Sequence, residues 1–396
     1  MRLFSTSAGY IDRFLHFCVY FPDLNIQLQE VLAALLGISF LFQIYFLLVY
    51  HNKLNAYRIT EELNEAQFPV SVIISARNEA ENLSKYLPNI LEQQYPVFEV
   101  VVINDCSVDD SEYILEQFEH KYSHLKVVRV TEHAKFKTGK KFAVTMGIKA
   151  AKYDHLLFTD ADCQPVSENW IARMAAQFQN PEHQIILGYS PYYKTGSLVN
   201  ILIRFETVKT AINYFSAALR GNAYMGVGRN MAYTKDVFFK AKGFASHMHI
   251  MSGDDDLFVN QNATSQNAAI EIHPDSFMYS EPKAGFGAWF RQKRRHMGAG
   301  KMYKARHKRL LSADALTGLL FYGLLIVCLF FKPAVYAAAG LFGLRWLLQI
   351  LVYRKQFIRF QAKDLLWFLP LLDIVYYVYL NVFGLIGSVI KTSKWK

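Results

Sequence analysis

The sequence predicts an α/β domain with a mainly parallel sheet, flanked by transmembrane helices. Three observations carry that expectation. Short β-branched runs alternate with helix-period segments through the middle of the chain, long apolar runs lie on either side of them, and the excess positive charge is gathered beside one of those runs. Apolar residues make up 52% of the 396 positions and charged residues 19%, which excludes a disordered chain. A mean hydropathy of +0.09 suits a chain divided between membrane and water. The four cysteines, at positions 18, 106, 163 and 328, have no CxxC spacing, so neither a disulfide framework nor a Cys-rich zinc site is expected.

Residues 1–27 form an N-terminal segment without the basic, apolar and small-residue order of a cleaved signal peptide. Val31–Tyr50 is 20 residues without a charge, about one bilayer crossing, and a first transmembrane helix is expected at 28–50. Ala315–Phe331 adds 17 uncharged residues, Pro333–Tyr353 is apolar apart from Arg345, and Leu365–Ile390 is apolar apart from Asp373. A C-terminal membrane region at 311–396 follows, with two crossings and a third apolar segment. That last segment either crosses, re-enters or lies in the interface, because a full crossing places the basic tail Lys391, Lys394 and Lys396 on the far side. Arg345 and Asp373 fall at similar depth in an antiparallel hairpin, so they are expected to pair.

Lys283–Ser312 holds ten Lys or Arg and no acid, and it ends just before the second apolar run. By the positive-inside tendency this end faces the cytoplasm, as do Lys53 and Arg58. Residues 51–310 then form a cytoplasmic domain of a multi-pass protein, with the bacterial inner membrane as the preferred location. Beside a membrane helix the basic stretch points to anionic lipid or phosphate, not to nucleic acid.

Within 51–310, strands are expected at Val70–Ser75, Phe98–Ile103, His124–Val130, His155–Phe158 and Gln184–Tyr189, with a helix at Lys140–Ala151. Ligands of parallel sheets bind at the carboxyl ends of strands, where this chain puts Ser75–Glu79, Asn104–Asp109 and Asp160–Asp162. No GxGxxG, Walker-type loop or Gly-x-Ser-x-Gly elbow is present. Asp160 and Asp162 flank one small residue and offer hard oxygen ligands to Mg²⁺ or Mn²⁺. Asp254, Asp255 and Asp256 follow Gly253, a set that suits a general base or a helix N-terminus. Arg291, Lys293, Arg294 and Arg295, beside Phe290 and Gln292, can neutralise a departing diphosphate or serve as membrane-surface charge. Asn200–Gly221 carries an apolar helical stripe, either packed on the domain or lying in the interface. Gly226–Asn230 reads as a flexible turn.

This ordered set resembles the membrane-embedded family 2 glycosyltransferases, the branch with cellulose, hyaluronan and poly-N-acetylglucosamine synthases, over roughly 70–301. The resemblance rests on Ala76-Arg77-Asn78-Glu79, Asn104–Asp109, Gly139-Lys140, Asp160-Ala161-Asp162, Gly253–Asp256 and Gln292-x-x-Arg295-His296. It implies a GT-A fold. It also implies that Ala76, Glu79 and Asp105 bind the donor base, that Lys140 and Asp160 lie at the nucleotide, and that Asp162 holds the metal. Asp254 would be the base, with Asp255 as the alternative, because Gly253 replaces the usual Glu. Gln292 and Arg295 would clamp the diphosphate. His296, in place of Trp, would meet the acceptor with less apolar area, which leaves a single transfer plausible.

The function so implied is inverting, metal-dependent transfer from a nucleotide-sugar, with UDP-sugars favoured, to a glycan or lipid-linked acceptor at the membrane. Membrane lipids are expected partners, and nucleic acid is not. The alternative is a catalytically dead, membrane-anchored binding or partner protein, which predicts loss of a metal or base carboxylate. A transporter requires more spans with more polar positions.

Overall fold

The computed structural model describes residues 22–63, 68–131, 139–250 and 252–389, except for the side chains of 22–26, 295–297, 332–333 and 386–389. The N-terminal segment up to residue 21 and the tail lysines Lys391, Lys394 and Lys396 lie outside the described residues.

Helix α1 (Pro22–Ile44) continues through a wider π-helical stretch, Tyr45–His51, to a last turn at Lys53–Ala56. Then come β1 (Val70–Ala76), α2 (Ala80–Leu91), β2 (Phe98–Asp105), α3 (Ser111–Lys121), β3 (Leu125–Val130), α4 (Lys140–Ala150) and β4 (His155–Asp160). These are the alternating units read from the sequence. The chain proceeds through β5 (Cys163–Pro165), α5 (Trp170–Ala176), β6 (Ile185–Leu187), α6 (Leu198–Ala218), β7 (Met231–Thr234), α7 (Lys235–Lys240), α8 (Asp256–Asn262), β8 (Ala268–Ile270) and β9 (Met278–Ser280). It ends in α9 (Phe286–Met297), α10 (Ala305–Cys328), α11 (Lys332–Arg359) and α12 (Leu369–Val389).

The main sheet has seven strands in the order β3-β2-β1-β4-β7-β6-β8. Only β7 runs against its neighbours β4 and β6, and a small antiparallel pair, β5-β9, sits apart. Along β1, Val70, Val72, Ile74 and Ala76 pack with α2 and α5, while Ile73 packs on the opposite face with α4. A strand covered on both faces reads as a nearly continuous apolar run, which is why Val70–Ser75 showed little polar alternation. The register pairs Ala76 with Asn104 and Ser75 with Asp160, so Asp105 and Asp160 flank the carboxyl end of β1.

Helix α6 lies between the sheet and the membrane-type helices and is buried along most of its length. Its Phe205 meets Phe357 and Tyr376, and Phe215 stacks on Phe360. Of the two expectations for this segment, the packed helix is the one observed, because both of its faces are covered. One apolar core consequently runs from Ile73 and Phe158 through α6 to Phe40, Phe321 and Tyr377.

Among the described residues four helices are long and apolar enough to cross a membrane: Gln27–Ala56, Ala305–Cys328, Ala334–Arg359 and Lys363–Leu385. The second begins at Ala305, ahead of the run visible in the sequence. Arg345 Nη1 meets Asp373 Oδ2 at 2.8 Å, as the hairpin argument expects, with neither residue exposed. Tyr322 and Gln349 also donate to Asp373, and Gln43 accepts from Arg345. Gly318 lets α12 approach α10, since a Cβ there would lie 2.3 Å from the Tyr377 ring. Gly318→Ala is expected to cost about 1–3 kcal/mol through overpacking, read as a lower unfolding midpoint of the purified protein in detergent.

Candidate active site

The polar residues left over by the sheet converge at the carboxyl ends of β1, β2 and β4. Asn78 and Cys106 turn the chain there with φ of 54° and 56°, left-handed values that are uncommon outside glycine. The two loops hold each other. Asn78 N donates to Ser107 Oγ, Val108 N to Asn78 Oδ1 and Ala80 N to Asp109 Oδ2. Asp105 and Ala76 are buried beneath this lattice. Glu79 opens α2, accepts from Asn82 and donates its own N–H to Ser111.

Lys140, the first residue of α4, joins two distant parts of the chain. Its Nζ lies 2.8 Å from Asp160 Oδ1 and 3.2 Å from Asp254 Oδ2. Burial disfavours the ammonium, but Asp160, Asp254 and Asp255 outweigh it and keep Lys140 charged well above its ordinary range. Lys140, Asp160 and Asp254 line a narrow cavity of about 20 Å³ together with Ser75, Gly228 and Tyr233.

The three consecutive aspartates differ in their contacts. Asp255 Oδ1 accepts from Asp256 N as the N-cap of α8, and Oδ2 accepts from Gly228 N at 2.9 Å. Asp256 accepts from Leu257 N and from the Tyr303 hydroxyl at 2.8 Å. Asp254 is the one directed at Lys140 and the cavity. Gly253 has φ +96°, and a Cβ there would lie 2.5 Å from Leu257 Cδ1. The absence of a glutamate at this position thus follows from the backbone.

Burial and the neighbouring Asp255 push Asp256 up to about 8. A carboxyl whose folded value is raised binds more protons folded than unfolded, so it withdraws stability as pH rises from about 4 to 8. Asp256→Asn keeps an acceptor for Tyr303 and removes the charge. It is expected to raise the unfolding midpoint at pH 8 and to leave it near wild type at pH 4, as read by thermal unfolding at the two pH values.

Asp162 follows Asp160 across the turn into β5. Burial, and then the Asp160 charge, hold its carboxyl above the ordinary range, partly offset by Arg229. Arg229 rests on the Tyr192 ring at 4.2 Å and donates to Ser190 O, while its Nη1 is buried without a hydrogen bond. Asp160, Asp162, Asp254 and Asp255 gather around the cations Lys140 and Arg229, and Lys283 also acts on Asp162. The hard oxygen donors at Asp160 and Asp162 fit a divalent cation. Among the described residues no group of three His, Cys, Asp or Glu could hold a metal by itself, so phosphate and water oxygens would complete the shell.

Gln292 lies on α9, half-buried, and Arg295 and His296 follow on the same helix with side chains outside the described residues. The helix is anchored by Trp289, which packs on Tyr379 and Phe383 of α12. The turn Gly226–Asn230 is pinned, not flexible. Asn230 is fully buried and donates to Tyr189 O and Ser276 O while accepting from Trp170 Nε1. Tyr192 and Tyr303 were not singled out from the sequence, and Arg229 only as part of the Gly226–Asn230 turn. Isolated in it, they carry no spacing signal; only the fold brings them to the acids.

Residues 71–240 match the family described as Glycosyl transferase family 2. This segment is a glycosyl transferase family 2 domain. The chain is 29% identical over 219 residues to 4,4'-diaponeurosporenoate glycosyltransferase of Staphylococcus aureus, covering 54% of this chain and 56% of that protein. It is 28% identical over 191 residues to poly-beta-1,6-N-acetyl-D-glucosamine synthase of Staphylococcus epidermidis, covering 44% of each. Such matches span about half the length of these curated relatives. The mannosyltransferase PcManGT from Pyrobaculum calidifontis has a similar structure, with a TM-score of 0.55 at 19% identity over 89% of this chain and 99% of that one. The family 2 domain therefore has a GT-A-like fold, and among the described residues four candidate membrane helices flank it in the chain.

Proposed function

We propose that this chain transfers a sugar from a nucleotide-sugar, by a single inverting displacement, to an acceptor hydroxyl at the membrane surface. The observation that carries the reading is the Lys140 bridge. It brings the Asp160 end of β4 and Asp254 to one cavity, with Asp254 the aspartate of its cluster not committed to backbone N–H groups.

Ala76, Glu79 and Asp105 would hold the donor base, with uridine favoured at Asp105, and Lys140 would lie at the nucleotide. Asp160 would lie at the ribose or diphosphate, and Asp162 would hold Mg²⁺ or Mn²⁺, which when bound offsets charge on the leaving diphosphate. Asp254 takes the proton of the acceptor hydroxyl while its oxygen bonds to the anomeric carbon. The bond from that carbon to the diphosphate oxygen breaks, and its electron pair leaves on the diphosphate, where Gln292 and Arg295 would meet it. His296 would contact the acceptor. The structural neighbour is in complex with GDP-Man and Mn²⁺, a donor and a cation of the proposed classes.

The basic stretch before α10 supports a cytoplasmic active site on an inner membrane. On this reading 51–310 is the catalytic domain, and 28–50 and 311–396 are membrane regions.

The test is nucleotide release from a panel of UDP- and GDP-sugars by the purified chain with Mg²⁺, Mn²⁺ or EDTA. Release from one donor, lost in EDTA and requiring at least tenfold more metal in Asp162→Asn, is the expected result. Nucleotide binding without release, in the presence of membrane lipids, would favour the catalytically dead alternative.

A further inference from the structure

A second cavity, of about 360 Å³, lies where the catalytic domain meets the connection between α11 and α12. That volume is within the usual range for small-molecule sites, roughly 300–1,000 Å³. Its walls include Tyr189, Tyr192, Tyr279 and Phe360, and its polar groups include Gln361 and Asp364. Aromatic faces interleaved with hydroxyl, amide and carboxylate groups match the alternating apolar and polar surface of a pyranose ring.

Three features show that the site is built. Asp364 is held by both Nη atoms of Arg204 at 2.8 Å and by Lys194 at 3.0 Å. Gln361 closes α11 in a Schellman turn, with φ 55°, its N–H donating to Ile358 O and Ala362 N to Phe357 O, and its Oε1 receives the Tyr279 hydroxyl, so the helix end sets this wall. The ring of Tyr192 forms part of the wall while its face carries Arg229, the cation beside Asp162. The cavity and the carboxylate site therefore share a partition.

Trp367 and Phe368, one turn beyond Asp364, are 86% and 51% exposed, and Leu371 follows at 62%. Exposed aromatics at the start of a membrane-type helix suit the headgroup level of a bilayer. We propose that this cavity takes the pyranose head of an amphipathic acceptor, whose apolar tail lies along α12.

This rests on the transferase reading but is tested without turnover. The full chain in lipid nanodiscs is exposed to octyl glucoside, mannoside, galactoside and N-acetylglucosaminide, each with a diazirine near the glycosidic oxygen. After irradiation the labelled peptides are mapped by mass spectrometry. Labelling within 189–194, 279 and 360–364 is expected, competed by excess unmodified glycoside and not by octyl phosphocholine. Thr207→Trp, which fills the cavity from α6, is expected to lower the labelling at least tenfold with an unchanged unfolding midpoint. Absence of such labelling with all four probes, equal competition by phosphocholine, or full labelling of Thr207→Trp would overturn the proposal. A chain that labels as expected but releases no nucleotide from any donor would instead sink the transferase reading.

Discussion

Asp254→Asn is expected to lower kcat for sugar transfer by about 10²–10⁴-fold, the usual contribution of a positioned general base, while donor binding stays within a few fold of wild type. The asparagine preserves shape and removes the proton acceptor. The neighbouring change has a different signature. Asp255→Ala removes the cap of α8 and leaves Gly228 N–H without its acceptor, so its expected effect is a loss of about 1 kcal/mol of stability for the cap alone. Turnover and unfolding midpoints of both variants, measured side by side with the same donor, separate the roles. If Asp254→Asn retains near-normal kcat and Asp255→Asn loses it, the base is Asp255.

The second large effect is expected inside the helix bundle. Arg345→Leu leaves the carboxylate of Asp373 buried without its nearest cation, and Asp373→Leu strands the guanidinium. Removing one partner of a buried pair costs about 3–5 kcal/mol, far more than a surface pair. Lys209 of α6 is also fully buried, 3.5 Å from Asp373 and 2.8 Å from the Tyr353 hydroxyl, so the damage should reach the catalytic domain. The double variant is expected to be more stable than the summed single effects by about 1–3 kcal/mol, measured as a double-mutant cycle of unfolding in detergent. Strict additivity would mean that the contact contributes nothing specific.

Much of this architecture was legible in the chain because it depends on local pattern. The strands β1, β2 and β4 announce themselves as buried β-branched runs, and each ends in the acids or amides that a parallel sheet presents to a ligand. The Arg345–Asp373 pair was legible for a similar reason, since two lone charges at matching depth in apolar helices have few other partners. The short strands were not. β7 and β8 have four and three residues, too few to establish a period, and β7 runs antiparallel only because of the neighbours between which it inserts.

The candidate site divides along the same line. The sequence by itself determined the fold class, the long apolar helices and the residue types from which a metal and diphosphate site can be made, since periodicity, hydropathy and charge are properties of neighbouring residues. Only the tertiary structure decided which aspartate faces the cavity, that Lys140 binds β4 to the Asp254 loop, that Asn230 pins the turn beside Arg229, and that α6 is a shared core element. Each of these depends on contacts between residues far apart in the chain. Burial then sets their consequences, because a carboxylate or ammonium withdrawn from water is governed by the partner the fold places next to it.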